Sequence, residues 1–216
     1  MTSLSVVCYR AAIKSGRKSV MTGKQAFLAM VIAIGFSATP VGAQVNQGFD
    51  GDKFVAAVRA RDSGKALELL ESRPTIVNAR DGLGDTGLIV AITERDPDWT
   101  GYLLNHDADA NLPARNGDTP LITAARVGFE DAAHWLISRG AKVDAANRMG
   151  ETALILAVQQ HQIPLVKLLL GLGANPDKTD SAQGYSARDY AKRNSRGGEM
   201  LKLIEAKKPK PAAAAR

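Results

Sequence analysis

The chain has 216 residues, a length for one or two domains. It is 45% apolar but only 5% aromatic, so any core must be aliphatic, and one cysteine with three histidines excludes a disulfide framework and a Cys-only zinc site. The net charge of +6 does not describe the body of the protein. Of 28 cations, five lie in residues 1–43 and four in residues 207–216; residues 44–206 keep 19 against all 22 acids, a net −3. An acidic body is a poor clamp for a polyanion, because that affinity rests on neutralising phosphates with Lys and Arg. No nucleic-acid partner is expected.

The first element is an export signal. Arg10, Lys14, Arg17, Lys18 and Lys24 precede residues 26–38, AFLAMVIAIGFSA, which carry no charge. Val41-Gly42-Ala43 then places small side chains at −3 and −1 before Gln44. This is the three-part order of a cleaved secretory signal, with residues 1–43 removed and export to the periplasm or beyond. The apolar run is too short for a stable membrane span, and Pro40 closes it. An uncleaved anchor and an organellar transit peptide are the alternatives, and Met21 is a second candidate start. Residues 44–49 follow as a short linker.

From residue 50 the chain repeats with a period of 33. Gly84-Asp85-Thr86-Gly87-Leu88 returns as Gly117-Asp118-Thr119-Pro120-Leu121, as Gly150-Glu151-Thr152-Ala153-Leu154, and weakly as Gly184-Tyr185-Ser186-Ala187. Leu103-Leu104, Leu136-Ile137 and Leu169-Leu170 keep the same step, as do Asp107-Ala108, Gly140-Ala141 and Gly173-Ala174, and Asn111, Asp144 and Asp177. Independent columns agreeing on one period mark a repeat array. Each unit predicts two helices. Thr119 caps the first and Pro120 opens it. Ala91, Ala124, Ala157 and Ala191 let neighbouring helices approach, and Gly140 ends the second helix in the left-handed conformation. Asp107 is tolerable in that column, since Asp visits this conformation more readily than most residues. Asp96-Pro97 and Pro164 start second helices. No single pair buries its apolar face, so stacking must supply the core.

These residues resemble the ankyrin repeat, whose pattern runs G-x-T-P-L-x-x-A and then L-L-x-x-G-A-x-x-N/D. The resemblance covers about residues 50–206 and is fullest over 115–146. Gly87 and Ala153 depart from the proline, and Asp107 from the glycine. It implies an all-α solenoid of helix-loop-helix units: an N-terminal cap at 50–80, repeats at 81–113, 114–146 and 147–179, a C-terminal cap at 180–206, and a disordered basic tail at 207–216. It also implies a non-catalytic module, monomeric and without cofactor, that holds another protein on its concave face. An effector or structural protein acting on a host or competitor, or an enzyme on the same scaffold, are the other classes.

Motifs of other chemistries are absorbed by the register. Gly82-Leu83-Gly84-Asp85-Thr86-Gly87 is a literal G-x-G-x-x-G, but no alternation of strands and helices surrounds it. His106, His134 and His161 have no second ligand at metal spacing. Asp96 and Asp98 read as capping residues, and Trp99 and Trp135 as second-helix packing. Arg196-Gly197-Gly198 reads as the turn before the last helix. Carried over column by column, the ligand-facing loop tips are Leu83 and Asp85; Arg115, Asn116 and Asp118; Arg148, Met149 and Glu151; and Tyr185. The exposed first-helix positions are Thr93 and Glu94, Arg126 and Val127, and Gln159 and Gln160. Arg115, Arg126 and Arg148 form a basic ridge there, and Asp118 and Glu151 are expected to orient Arg115 and Arg148 or to pair with a partner's bases.

Overall fold

The computed structural model describes residues 42–194 and 198–206. Residues 1–41 of the export segment, Arg196, Gly197 and the basic tail fall outside the described residues. Five helix pairs follow one another: α1 (Gly42–Arg59) with α2 (Ser63–Ser72), α3 (Gly87–Thr93) with α4 (Pro97–Asn105), α5 (Pro120–Val127) with α6 (Glu130–Ser138), α7 (Ala153–Gln159) with α8 (Ile163–Gly171), and α9 (Ala187–Arg193) with α10 (Gly198–Ala206). A 3-10 turn at Pro74–Asn78 follows α2. The described residues form no strand beyond isolated bridges at the loop bases, Arg80 to Thr86, Ala146 to Thr152 and Thr179 to Ser186. The first helix starts at Gly42, upstream of the cap expected from residue 50, and runs through the 44–49 segment read as a linker.

The helices form two rows. The inner row packs α1, α3, α5, α7 and α9 in succession, and the outer row packs α4, α6, α8 and α10. Inner helices are buried nearly all round. From Leu154 to Val158 every side chain of α7 is covered, as is every side chain from Leu121 to Ala125 of α5. The alanine column explains the close stacking: Ala91, Ala124 and Ala157 are all inaccessible and carry no bulk to hold the helices apart. Leu103, Leu136 and Leu169 fill the gap between the rows and are fully buried. Gly87, where the repeat pattern has proline, faces the ring of Phe54; a Cβ there would lie 3.0 Å from it. A small residue at that position lets the aromatic side chain of the cap seat against the first full repeat.

Each inner helix from α3 to α9 begins on a buried hydroxyl. Thr86, Thr119, Thr152 and Ser186 accept from the amides of Ile89, Ile122, Ile155 and Asp189 at 3.2–3.3 Å. These caps satisfy donors that a helix leaves open at its start. Outer-helix ends follow the expected left-handed turn. Asp107, Gly140 and Gly173 have φ of 62°, 84° and 92°. The next amides reach back five residues, Ala108 to Leu103, Ala141 to Leu136 and Ala174 to Leu169, all at 3.0 Å. This is the longer of the two hydrogen bonds of a Schellman turn.

The inner helices α1, α3, α5 and α7 end the same way, which the sequence does not announce. Arg61, Arg95, Gly128 and His161 all have positive φ, and only one is glycine. The amides of Asp62, Asp96, Phe129 and Gln162 reach back to Ala57, Ala91, Ala124 and Ala157 at 2.9 Å. The three larger side chains reach into the next unit. Arg61 Nε lies 3.4 Å from Asp96, Arg95 donates to the Gly128 carbonyl at 3.3 Å, and the His161 ring meets the Asn194 amide at 2.7 Å.

Two tests address this architecture. Leu136→Ala and Leu169→Ala should each cost about 2–5 kcal/mol in urea unfolding, because a fully buried leucine leaves a cavity. In the left-handed column, Asp107→Gly should stabilise by about 0.5 kcal/mol, whereas Gly140→Val should cost about 1–2 kcal/mol. Equal stabilities for these last two variants would contradict the turn.

Candidate partner-binding surface

Four loops connect the units, and a polar side chain holds three of them from within. Asp81 Oδ1 accepts the amides of Leu83 and Asp85 at 2.9 Å. Asn147 Oδ1 accepts those of Met149 and Glu151 at 2.9 Å, and Asp180 Oδ1 those of Gln183 and Gly184 at 2.8 and 2.9 Å. The second loop has Ala114 in this column, and Asn116 substitutes by accepting from the Asp118 amide at 2.9 Å. Each loop then leans on the next through a left-handed glycine. A Cβ on Gly84 would fall 2.7 Å from the Arg115 Cβ, and one on Gly117 would fall 2.8 Å from the Arg148 Cγ. The two arginine stems therefore lie against the backbone of the preceding loop.

The acidic groups at these loops turn inward. Asp118 is only 3% exposed. It accepts from Asn116 at 2.8 Å, from Arg126 at 3.1 and 3.2 Å, and from Asn147 at 2.7 Å. Glu151 accepts from Asn147 at 2.8 Å and from Arg126 at 3.4 Å. Arg126 thus spans two repeats. On the N-terminal side Arg59 of α1 holds Asp81 at 2.9 Å and Asp85 at 3.8 Å. Burial and the neighbouring Asp81 carboxylate nevertheless raise the Asp85 carboxyl above its ordinary value. On the C-terminal side Tyr190 donates to Asp180 at 2.5 Å and packs edge-on to Tyr185. Arg193 donates to the Tyr185 hydroxyl at 2.7 Å, with its guanidinium 4.5 Å from the ring centre.

The family model described as ankyrin repeats (3 copies) matches residues 54–147, and that described as ankyrin repeats (many copies) matches residues 130–170. The chain belongs to the ankyrin-repeat family. No curated protein matches it. Among the described residues no group of His, Cys, Asp and Glu could hold a metal, and no helix is long and apolar enough to cross a membrane.

The ankyrin register brings the expected surface residues together in two groups. Leu83, Arg115, Asn116, Arg148 and Met149 are exposed at the loop tips, with Leu83 at 63% and Met149 at 50%. Asp85, Glu151, Gln159 and Tyr185 are half-buried. Glu94 is exposed at the far end of α3, where that helix turns toward α4. Asp118 differs from expectation, since a buried carboxylate committed to four donor groups is not a tip. Asp118 and Glu151 also orient Arg126, not Arg115 and Arg148. The spacing conceals this, because Arg126 lies one full helix away in sequence but directly above both acids in space. The basic ridge therefore separates: Arg126 is neutralised, while Arg115 and Arg148 have no hydrogen-bond or ion-pair partner among the described residues. Sequence reasoning missed Arg59, Asp81, Asn147, Asp180 and Tyr190. A polar residue recurring five or six positions before the capping Thr or Ser was the available signal, interrupted by Ala114.

On the outer row, Ser63 and Leu67 of α2 face Asp98, Trp99 and Tyr102 of α4 across a cleft of about 170 Å³. Trp99, Tyr102 and His106 continue from it as a ladder of ring contacts. Asp96 caps α4 through the Trp99 amide at 3.0 Å, so the Asp96–Asp98 pair is structural at its first member.

Removing the Asp118 carboxylate leaves Arg126 and the Asn147 amide short of an acceptor. Asp118→Ala should cost about 2–3 kcal/mol, whereas Arg115→Ala should stay within about 0.5 kcal/mol, both read from chemical unfolding. The Asp180–Tyr190 pair gives a pH signature. Burial alone would raise the Asp180 carboxyl, but the Tyr190 hydroxyl and the Gln183, Tyr185 and Gly184 amides outweigh it and hold it low. Its contribution is therefore present above the unfolded value of ~3.9 and lost as pH falls through the folded one. Tyr190 is pushed up to about 12, first by burial and then by Asp180. That contribution is complete below the unfolded value of ~10 and lost as pH rises toward the folded one. Tyr190→Phe should abolish the late phase of an ultraviolet tyrosinate titration.

Proposed function

We propose that this ankyrin-repeat chain is an exported, non-catalytic binding module that holds one protein across its loop tips and inner helices, in the periplasm or outside the cell. Ankyrin repeats serve generally as protein–protein interaction modules, and the proposal assigns that role to a surface and a compartment. One observation carries it. Arg115, Arg148, Leu83 and Met149 stand side by side at the tips, exposed, with their backbones locked by the loops beneath them. Rigid tips order no backbone on binding, and such preorganisation lowers the entropic cost of association. Arginine suits an anchor because its planar fork directs hydrogen bonds while its stem buries apolar area. The basic, apolar, small-residue order of residues 1–43 supports export.

Affinity capture from an envelope extract, followed by mass spectrometry, tests the module. The captured protein should bind the Arg115→Ala, Arg148→Ala double variant at least ~30-fold more weakly, with helicity and melting preserved. Full binding by that variant, with loss on outer-row substitution at Tyr102, would move the site to the other face. Sequencing of the exported form should begin at Gln44; recovery of residues 26–39 in it would refute cleavage.

A further inference from the structure

We propose that the loop-tip ridge is shaped for an acidic protein segment bearing aliphatic side chains. This rests on the module reading above and gives it a ligand chemistry.

The charges at the tips are sorted by direction. By composition the tips are mixed, with Asp81, Asp85, Asp118, Glu151 and Asp180 interleaved with arginines. In space they are not mixed. Asp118 and Asp180 are buried, and Asp81, Asp85 and Glu151 are half-buried. Asp81 and Asp180 accept loop amides, Asp118 and Glu151 are held by Asn147 and Arg126, and Asp85 faces Arg59. None of these carboxylates is left to meet a partner's cation without breaking a contact within the protein. The arginines divide the opposite way. Arg59 and Arg126 are spent on the inward acids, and Arg80 donates to the Gly84 carbonyl at 2.7 Å within range of Asp85. Arg115 and Arg148 keep their whole donor fork for solvent.

Geometry sets these two side chains on adjacent loops. Each stem rests on the glycine of the loop before it, so the two rise from neighbouring repeats. Leu83 and Met149 rise beside them. A ligand matching this pattern offers carboxylates to the forks and aliphatic groups to the two apolar tips. Arg–carboxylate pairing is bidentate and charge-assisted, which makes it selective. A nucleic acid offers anions but no aliphatic groups, and the net −3 of residues 44–206 opposes a long polyanion. A lipid surface would need several more outward cations at the tips.

The test pans the purified full chain against displayed random peptides. The enriched peptides should carry Asp or Glu next to Leu, Ile, Met or Phe. A synthetic enriched peptide should lose at least about tenfold in affinity when its acids become amides, and should weaken as salt rises. Arg115→Gln with Arg148→Gln keeps the stems and should lose the peptide. Arg115→Glu with Arg148→Glu should instead prefer the same peptide with its acids replaced by lysine, with an unchanged melting temperature in both variants. Oligothymidylate and phosphatidylglycerol vesicles should bind more weakly than the peptide. Neutral or basic selected peptides, failure to enrich any peptide, unchanged binding by either variant, or tighter binding of the oligonucleotide or vesicles would each overturn the proposal. Failure of the module reading is separate: it appears as no captured protein, whereas a captured protein held through a non-acidic segment refutes only the ligand chemistry.

Discussion

Each described helix pair leaves apolar surface that only a neighbouring pair can cover. The inner helices are seven or eight residues long from α3 to α9. Helices of that length are marginal alone, so their stability comes from stacking. The alanine column sets how closely they stack, and the leucine column fills what remains between the rows. Polar links follow the same nearest-neighbour logic. Asn78 accepts from the Asp109 amide, Asn111 from Lys142 and Asp144 from Asn175, each at 2.8 Å and each one repeat onward. Core and hydrogen bonds are thus cut into the same units, and the loop tips inherit their regular spacing from both.

The repeat period, the caps, the five helix pairs and the left-handed turns at Asp107 and Gly140 were legible in the sequence because each depends on local chemistry. Thr119 bonds three residues away, and Gly140 needs only its own backbone freedom. What escaped was whatever the stacking decides. Arg61, Arg95 and His161 adopt a conformation that side-chain chemistry disfavours, and the units they join impose it. Gly87 departs from the repeat pattern because of Phe54, which lies in the cap before it.

The binding surface shows the same division. Residue columns located the tips, and Leu83, Arg115 and Met149 are exposed there. Columns could not locate the partners of the charges. Asp118 and Arg126 are eight residues apart, Asp118 and Asn147 are 29 apart, and together they bury a carboxylate that looked solvent-facing. Composition described a mixed-charge surface, and three-dimensional pairing converts it into one with outward arginines and inward acids.

The cleft between α2 and α4 makes the two ends of the array unequal. The outer row packs from α4 to α10, but α2 stands apart from α4 across the cleft, and the cap is secured mainly by α1 and the 3-10 turn. Cooperativity in a linear array is only as strong as its weakest junction. Trp99 lines this cleft beside Ser63 and Leu67, so its indole sits at the junction between the first outer helix and the rest of the row. An indole placed there is a natural optical reporter of that one junction, distinct from the buried junctions between the inner helices.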